Sequence, residues 1–282
     1  MVVTARRRVS FLTAFLALIL IAITVGLAYR GWGFYQLSVE DRVEHPDFRE
    51  LRPSGLFGNG YGWVAAMLII LNLSYLIRRR FGGSRHGSMR VWLDLHVFTG
   101  LVAASLVSFH SAFQLRTPVA TLSTASLGVV VLTGLIGRFL YALAPANGRE
   151  RMKAALDEIE RELPGQRVAL AEAIAARPGP TLAANASLLR SLWAIPAWRR
   201  AGRGRREVLE MLLPKRSAMS KSLRRTTSEL FVAAAVDARA SGVSALLRSW
   251  RGLHRFFALL MLAAVLLHAG VAWHYGYRWI FT

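Results

Sequence analysis

Apolar positions gather along this chain into five long runs, and the stretch before the last run changes to a mixed pattern with helical spacing. The runs cover residues 11–29, 61–77, 91–113, 119–143 and 251–275, each close to the roughly 20 apolar residues that carry a helix through about 30 Å of hydrocarbon. In lipid the backbone must satisfy its own hydrogen bonds, and runs this long without period-two alternation are helices. The pattern predicts an all-α integral membrane helical bundle of about five transmembrane helices. Residues 1–143 hold the first four, residues 144–250 form a basic cytoplasmic helical insert, and residues 251–282 supply the fifth with an outer tail. A composition 54% hydrophobic over 282 residues, with mean hydropathy +0.36, excludes a soluble globular domain.

Charge then orients the bundle. Arg6, Arg7 and Arg8 precede the first run, whose nineteen residues exceed a signal-peptide core and which no small-residue cleavage site follows before Arg30. The expectation is an uncleaved span with its N-terminus inside. Residues 30–60 form an external loop in which Glu40, Asp41, Glu44, Asp47 and Glu50 outnumber Arg42, Arg49 and Arg52. Arg78, Arg79, Arg80, Arg85 and Arg90 then mark an inner loop. The chain is expected to be a multi-pass protein of the cell (inner) membrane, with N-terminus and insert cytoplasmic and C-terminus outside. The net charge of +20 is explained by this placement and does not imply nucleic acid. Gly60, Gly62 and Ala65 match the letters of a dinucleotide-binding turn, but no strand precedes them, so the expectation is a tight glycine turn at the membrane surface.

The insert carries nineteen Lys or Arg against ten Asp or Glu between residues 142 and 250. Met152, Leu156, Ile159 and Leu163 recur at spacings of four, three and four, predicting an amphipathic helix that stops at Pro164-Gly165. Further helices are predicted at 168–176, 207–213 and 222–240, with Pro178, Pro180, Pro196 and the stretch RRAGRGRR as breaks.

The candidate chemistry is in the spans. His96 and His110 lie fourteen residues apart in the third, and His254 and His268 fourteen apart in the fifth. Fourteen steps of about 100° come to about 1400°, near four full turns, so both members of a pair share a helix face at levels about 21 Å apart. An imidazole in hydrocarbon is costly unless something uses it. Two helices, each offering imidazole at two levels, suit two haems, each iron taking one histidine from each helix. With four spans before it, the fifth runs parallel to the third, which pairs His96 with His254 on the inner side and His110 with His268 on the outer. The chain has no cysteine, so disulfides, thioether-linked haem and thiolate iron–sulfur clusters are excluded.

These residues, in LDLHVFTGLVAASLVSFH and RGLHRFFALLMLAAVLLH, resemble the di-haem transmembrane cytochrome b domain of ferric reductases and NADPH oxidases, and more loosely the cytochrome b of quinol-oxidising complexes. The resemblance covers roughly residues 90–145 and 250–276. It implies two b-type haems with bis-histidine ligation by His96, His110, His254 and His268, and electron transfer from one membrane face to the other. The flavin and NADPH domain of those oxidases has no counterpart here, so the donor is expected to be a partner protein or a membrane quinol.

Haem propionates call for cations, which nominates Arg90, Arg251 and Arg255 on the inner side and Arg116 and Arg278 on the outer. Ser105, Ser108, Ser111, Thr99 and Thr133 are hydroxyls available to the second ring nitrogens. Asp94, four residues after Arg90, suits an interfacial cap or pair. His274 suits an aromatic belt, and His45 and His86 lie in loops. The functional expectation is a cytochrome b subunit of an oxidoreductase, relaying electrons across the bilayer between redox partners: an inner flavoprotein or ferredoxin facing the basic insert, and an outer cytochrome or other acceptor facing the acidic loop, within a multisubunit complex. One alternative is a quinol-oxidising membrane anchor, with quinone as a further cofactor. Another, from a different class, is a non-redox membrane scaffold whose basic insert recruits a cytosolic or lipid partner.

Overall fold

The computed structural model describes residues 11–81, 87–142, 148–179, 182–183 and 187–275. Among them there are helices and no strands. Five helices are long and apolar enough to cross a membrane: Phe11–Arg30, Phe48–Phe81, Met89–His110, Pro118–Leu140 and Gly242–His274. The chain divides into two compact units, one of Met1–Leu135 with His254–Thr282 and the other of Ile136–Leu253.

In the first unit, α1 (Phe11–Arg30) leads through the short α2 (Trp32–Gln36) and α3 (Phe48–Leu51) to α4 (Leu56–Asn72) and α5 (Ser74–Phe81). Then come α6 (Met89–His110) and α7 (Pro118–Ala142). α4 packs closely on α6, and α1 lies against α6. Ala65 and Ala103, each almost wholly buried, remove the side-chain bulk that would hold α4 and α6 apart, and Ile69, Val102 and Leu106 fill the seam. Polar groups in this apolar setting find partners: Thr24 and Ser105 hydroxyls meet at 3.0 Å, and Thr13 donates to the buried Asp94 carboxylate at 3.3 Å. Asp94 thus ties α6 to α1 as well as lying a turn beyond Arg90.

Several helix limits differ from those the sequence predicts. α4 begins at Leu56, so Gly58, Gly60 and Gly62 lie inside a helix and not in a surface turn. The third span ends at His110 and not at residue 113. There Ala112 and Phe113 take left-handed φ of 48° and 59°, and the Phe113 N–H reaches back to the Ser108 carbonyl at 3.0 Å, a Schellman-type stop. Arg42, a buried cation in the preceding loop, donates to the Ala112 carbonyl at 2.8 Å and to those of Tyr35 (2.9 Å) and Leu37 (3.1 Å), and so holds that turn in place.

The second unit is helical around its own core. α8 (Gly148–Glu162), α9 (Gln166–Ala175), α10 (Leu188–Trp193) and α11 (Ile195–Leu212) precede the long α12 (Lys221–His274). Leu156, Ile159, Leu170, Leu209 and Leu230 are buried together. The turn after α8 is closed by the Glu160 carboxylate, which accepts from the Gly165 and Arg167 N–H groups at 2.8 and 2.7 Å while Gly165 takes φ +86°. The RRAGRGRR stretch is not a break: it lies within α11, with Pro196 in the first turn, where a missing N–H costs nothing. Buried Gly202 faces Ala235, and buried Arg205 donates to the Arg177 and Ala234 carbonyls and pairs with Asp237 at 2.9 Å. No break separates the predicted 222–240 helix from the last span either, since α12 runs for 54 residues through Arg251 and Gly252. His86, Arg85, Arg278 and the aromatic tail beyond Tyr275 lie outside the described residues.

Candidate functional site

α6 and the last stretch of α12 place four imidazoles in the first unit. His96 stands against His254 with ring centres 6.4 Å apart and planes inclined at 76°, and His110 against His268 at 6.2 Å and 81°. The matched order means that α6 and this part of α12 run in the same direction. α6 and this part of α12 therefore face each other through their imidazoles at both levels.

A direct N–H···N hydrogen bond of about 2.9–3.0 Å, with each nitrogen about 1.1 Å from its ring centre, would put the centres about 5.2 Å apart. Both observed distances exceed this; they lie in the ordinary range of edge-to-face ring contacts, about 4.5–7 Å, and they also match the roughly 6.2–6.4 Å that two imidazoles with bonds of about 2.0–2.1 Å to one shared metal ion could span.

Neighbouring groups decide which nitrogen is free. His110 Nδ1 lies 2.8 Å from the Gly58 carbonyl oxygen, which only accepts, so Nδ1 carries the proton and Nε2 keeps its lone pair. His254 Nδ1 lies 2.9 Å from Thr133 Oγ1, whose own hydrogen has helix carbonyls at Val129 (2.8 Å) and Val130 (3.0 Å) to receive it. The threonine oxygen therefore accepts from the imidazole, again leaving Nε2 as the ligand atom. His96 Nδ1 is buried just outside hydrogen-bonding geometry from the Asn72 carbonyl, and its ring lies against Tyr75 with centres 4.8 Å apart. Asn72 is held in turn by Thr99, which donates to its Oδ1 at 3.0 Å.

Gly62 makes the His110 position accessible. A Cβ there would stand 2.7 Å from Nδ1 and 2.8 Å from Cε1 of the ring, closer than nonbonded atoms allow. Sequence reasoning missed both Gly58 and Gly62. A backbone carbonyl leaves no letter in the sequence, and the glycine cluster that signalled the contact was read as a turn. Of the five candidate hydroxyls, Thr133 meets a histidine. Ser105 goes to Thr24, while Ser108 and Ser111 return to their own backbone.

The basic candidates are more dispersed. Arg90 and Arg255 are exposed, Arg116 is exposed and donates to Gln114 Oε1 at 2.8 Å, and Arg251 belongs to the second unit. His274 is exposed beside Tyr275, and His45 accepts from the Asp47 N–H at 3.1 Å.

Among the described residues no three His, Cys, Asp or Glu side chains gather as a metal site. Each site therefore offers two imidazoles, short of the three or four protein ligands of a zinc centre. Two axial nitrogens are what a metalloporphyrin lacks, since its macrocycle supplies the other four. The ligand set, the Nε2 lone pairs left on His110 and His254, and the spacing fit haem. Comparison of the chain with protein-family models, with curated proteins and with solved structures finds no match in any of the three.

Proposed function

We propose that this chain is a membrane cytochrome b that relays electrons across the bilayer through two b-type haems. His96 and His254 would hold one, and His110 and His268 the other. The observation that carries this reading is the pair of ring separations, 6.4 and 6.2 Å, repeated at two levels about 21 Å apart along α6. When bound, haem supplies reversible one-electron carriage. The chain's own contribution is to hold His110 and His254 by their Nδ1 atoms, leaving Nε2 as the ligand atom of each, and to set all four imidazoles among apolar helices. Two histidines per site would leave a haem iron no open position for oxygen or a substrate, which favours relay over chemistry at the metal. Arg78, Arg79 and Arg80 in the last turn of α5 support an orientation with that end, and the insert, on the cytoplasmic side.

The test is a reduced-minus-oxidised visible spectrum with a pyridine haemochrome assay on the detergent-purified chain and on His96→Ala and His268→Ala. Two b haems per chain, with each substitution removing mainly one, is the expected result. A colourless parent, or undiminished haem in both variants, overturns the reading.

A further inference from the structure

In the second unit, α10 and α11 divide their residues between two opposite sides. Ala194 joins the two helices with helical φ and ψ of −80° and −10°. Its N–H bonds back to the Arg190 carbonyl at 3.2 Å, and its own carbonyl accepts from the Trp198 N–H at 3.1 Å. The rotation of about 100° per residue therefore carries on through the joint. Counted so, Ser191, Trp198, Gly202, Arg205 and Leu209 fall within a sector of about 60°, and all five are buried. Leu189, Leu192, Trp193, Arg199, Arg200 and Arg203 fall within about 120° on the other side, and all six are exposed.

The exposed side has a chemical order along its length of about 21 Å. Its first half is apolar, with Trp193 83% and Leu189 68% exposed, although side chains of this kind are ordinarily covered. Its second half is basic. Arg199, Arg200 and Arg203 make no hydrogen bond or ion pair among the described residues, whereas Arg205 on the buried side is paired with Asp237. From residue 173 to residue 206 the chain has seven arginines and no Asp or Glu. The RRAGRGRR stretch, a break by its letters, is thus the basic half of a continuous two-part face.

We infer that this face of α10 and α11 docks on the anionic headgroups of the bilayer that the chain's own spans would occupy. The inference goes beyond the relay and does not depend on haem. Tryptophan and leucine beside a row of guanidiniums is the composition of helices that lie in the headgroup region. The apolar half enters the boundary of the acyl chains, where tryptophan is favoured, and the arginines bind lipid phosphates. Two span-length helices, Pro118–Leu140 and Gly242–His274, flank the insert in the sequence. The bilayer is therefore tethered to this face at both ends of the insert, and high effective concentration makes even modest affinity sufficient for docking.

The experiment uses the full chain in nanodiscs of phosphatidylcholine with and without phosphatidylglycerol. The chain has no cysteine, so Leu192→Cys places a single nitroxide label on the face, and Arg190→Cys places one off it on the same helix. Collisions of the label with oxygen and with a water-soluble nickel complex, read by electron paramagnetic resonance, report its depth. In the anionic discs the Leu192→Cys label should be shielded from nickel and open to oxygen, with the Arg190→Cys label open to nickel. Replacing Arg199, Arg200 and Arg203 together by Gln changes exposed residues only. It should lower the ratio of docked to free insert about a hundredfold, at about fivefold per arginine, and Trp193→Ser should shift it in the same direction. The comparison of lipids leaves the arginines in place, and so stands apart from any effect of the triple variant on folding. A Leu192→Cys label equally open to nickel in both discs overturns the bilayer as the occupant and leaves the face to a soluble acidic protein. Equal shielding in both discs, unchanged by the triple variant, overturns the anionic headgroup as the ligand.

Discussion

The close approach of Gly62 to His110 makes a single methyl group a sharp test. In Gly62→Ala the new Cβ would begin 2.7 Å from Nδ1, while a relaxed contact needs about 3.5 Å, so ring and helix must separate by about 0.8 Å. The ring is a stiff body anchored by the 2.8 Å bond to the Gly58 carbonyl, and moving it that far stretches the bond to about 3.6 Å, beyond useful geometry. Losing a buried hydrogen bond costs about 1–3 kcal/mol, and the loss of such an outer partner weakens metal affinity about 10–100-fold. Gly60→Ala is the internal control, because nothing lies within 4 Å of a Cβ there. It should gain up to about 1 kcal/mol of helix propensity and leave the site alone. Haem occupancy by pyridine haemochrome, with thermal unfolding of both variants in nanodiscs, reads the outcome. Full occupancy and an unchanged spectrum in Gly62→Ala would refute the reasoning, because they would mean that α4 does not position His110.

Thr133→Val removes the oxygen that accepts from His254 Nδ1 and should weaken occupancy of the His96–His254 site about 10–100-fold while sparing the other, as measured by haem titration in a His268→Ala background. Arg205→Ala leaves two carbonyls without their donor and Asp237 with Arg149 at 3.3 Å, and should destabilise the insert by about 1–3 kcal/mol, read by hydrogen exchange of α11 in the intact chain; unchanged exchange would contradict the buried pairing. Backbone N–H donation from Gly165, with that from Arg167 next, holds the Glu160 pKa below its ordinary 4.5. Its stabilising effect is therefore complete above about pH 4.5 and is lost as the pH falls through the lower native value. Hydrogen exchange of the α8–α9 turn should rise over that acidic window, and Glu160→Gln should flatten the response.

Much of this architecture was legible because its determinants are long-range in composition and regular in period. Apolar run length marks the five span-length helices, and the fourteen-residue step on α6 and α12 brings the imidazoles to one face of each. What escaped was whatever packing decides against local propensity. Gly58 and Gly62 in α4, and Gly202 in α11, look like breaks, yet each lies in a continuous helix. Arg205 looks like one more surface cation and is buried. The acceptor for His110 is a main-chain oxygen, which no letter of the sequence records.

Each histidine pair joins residues about 160 positions apart in the chain. Closing so long a loop costs about 4–5 kcal/mol from chain length alone, and the second half of either pair does not exist until the final span has been synthesised. The insert core is complete in sequence well before that moment. Pairing of the imidazoles is therefore a late event, and under the proposed di-haem reading cofactor capture would report whether α12 has been fully made and correctly threaded.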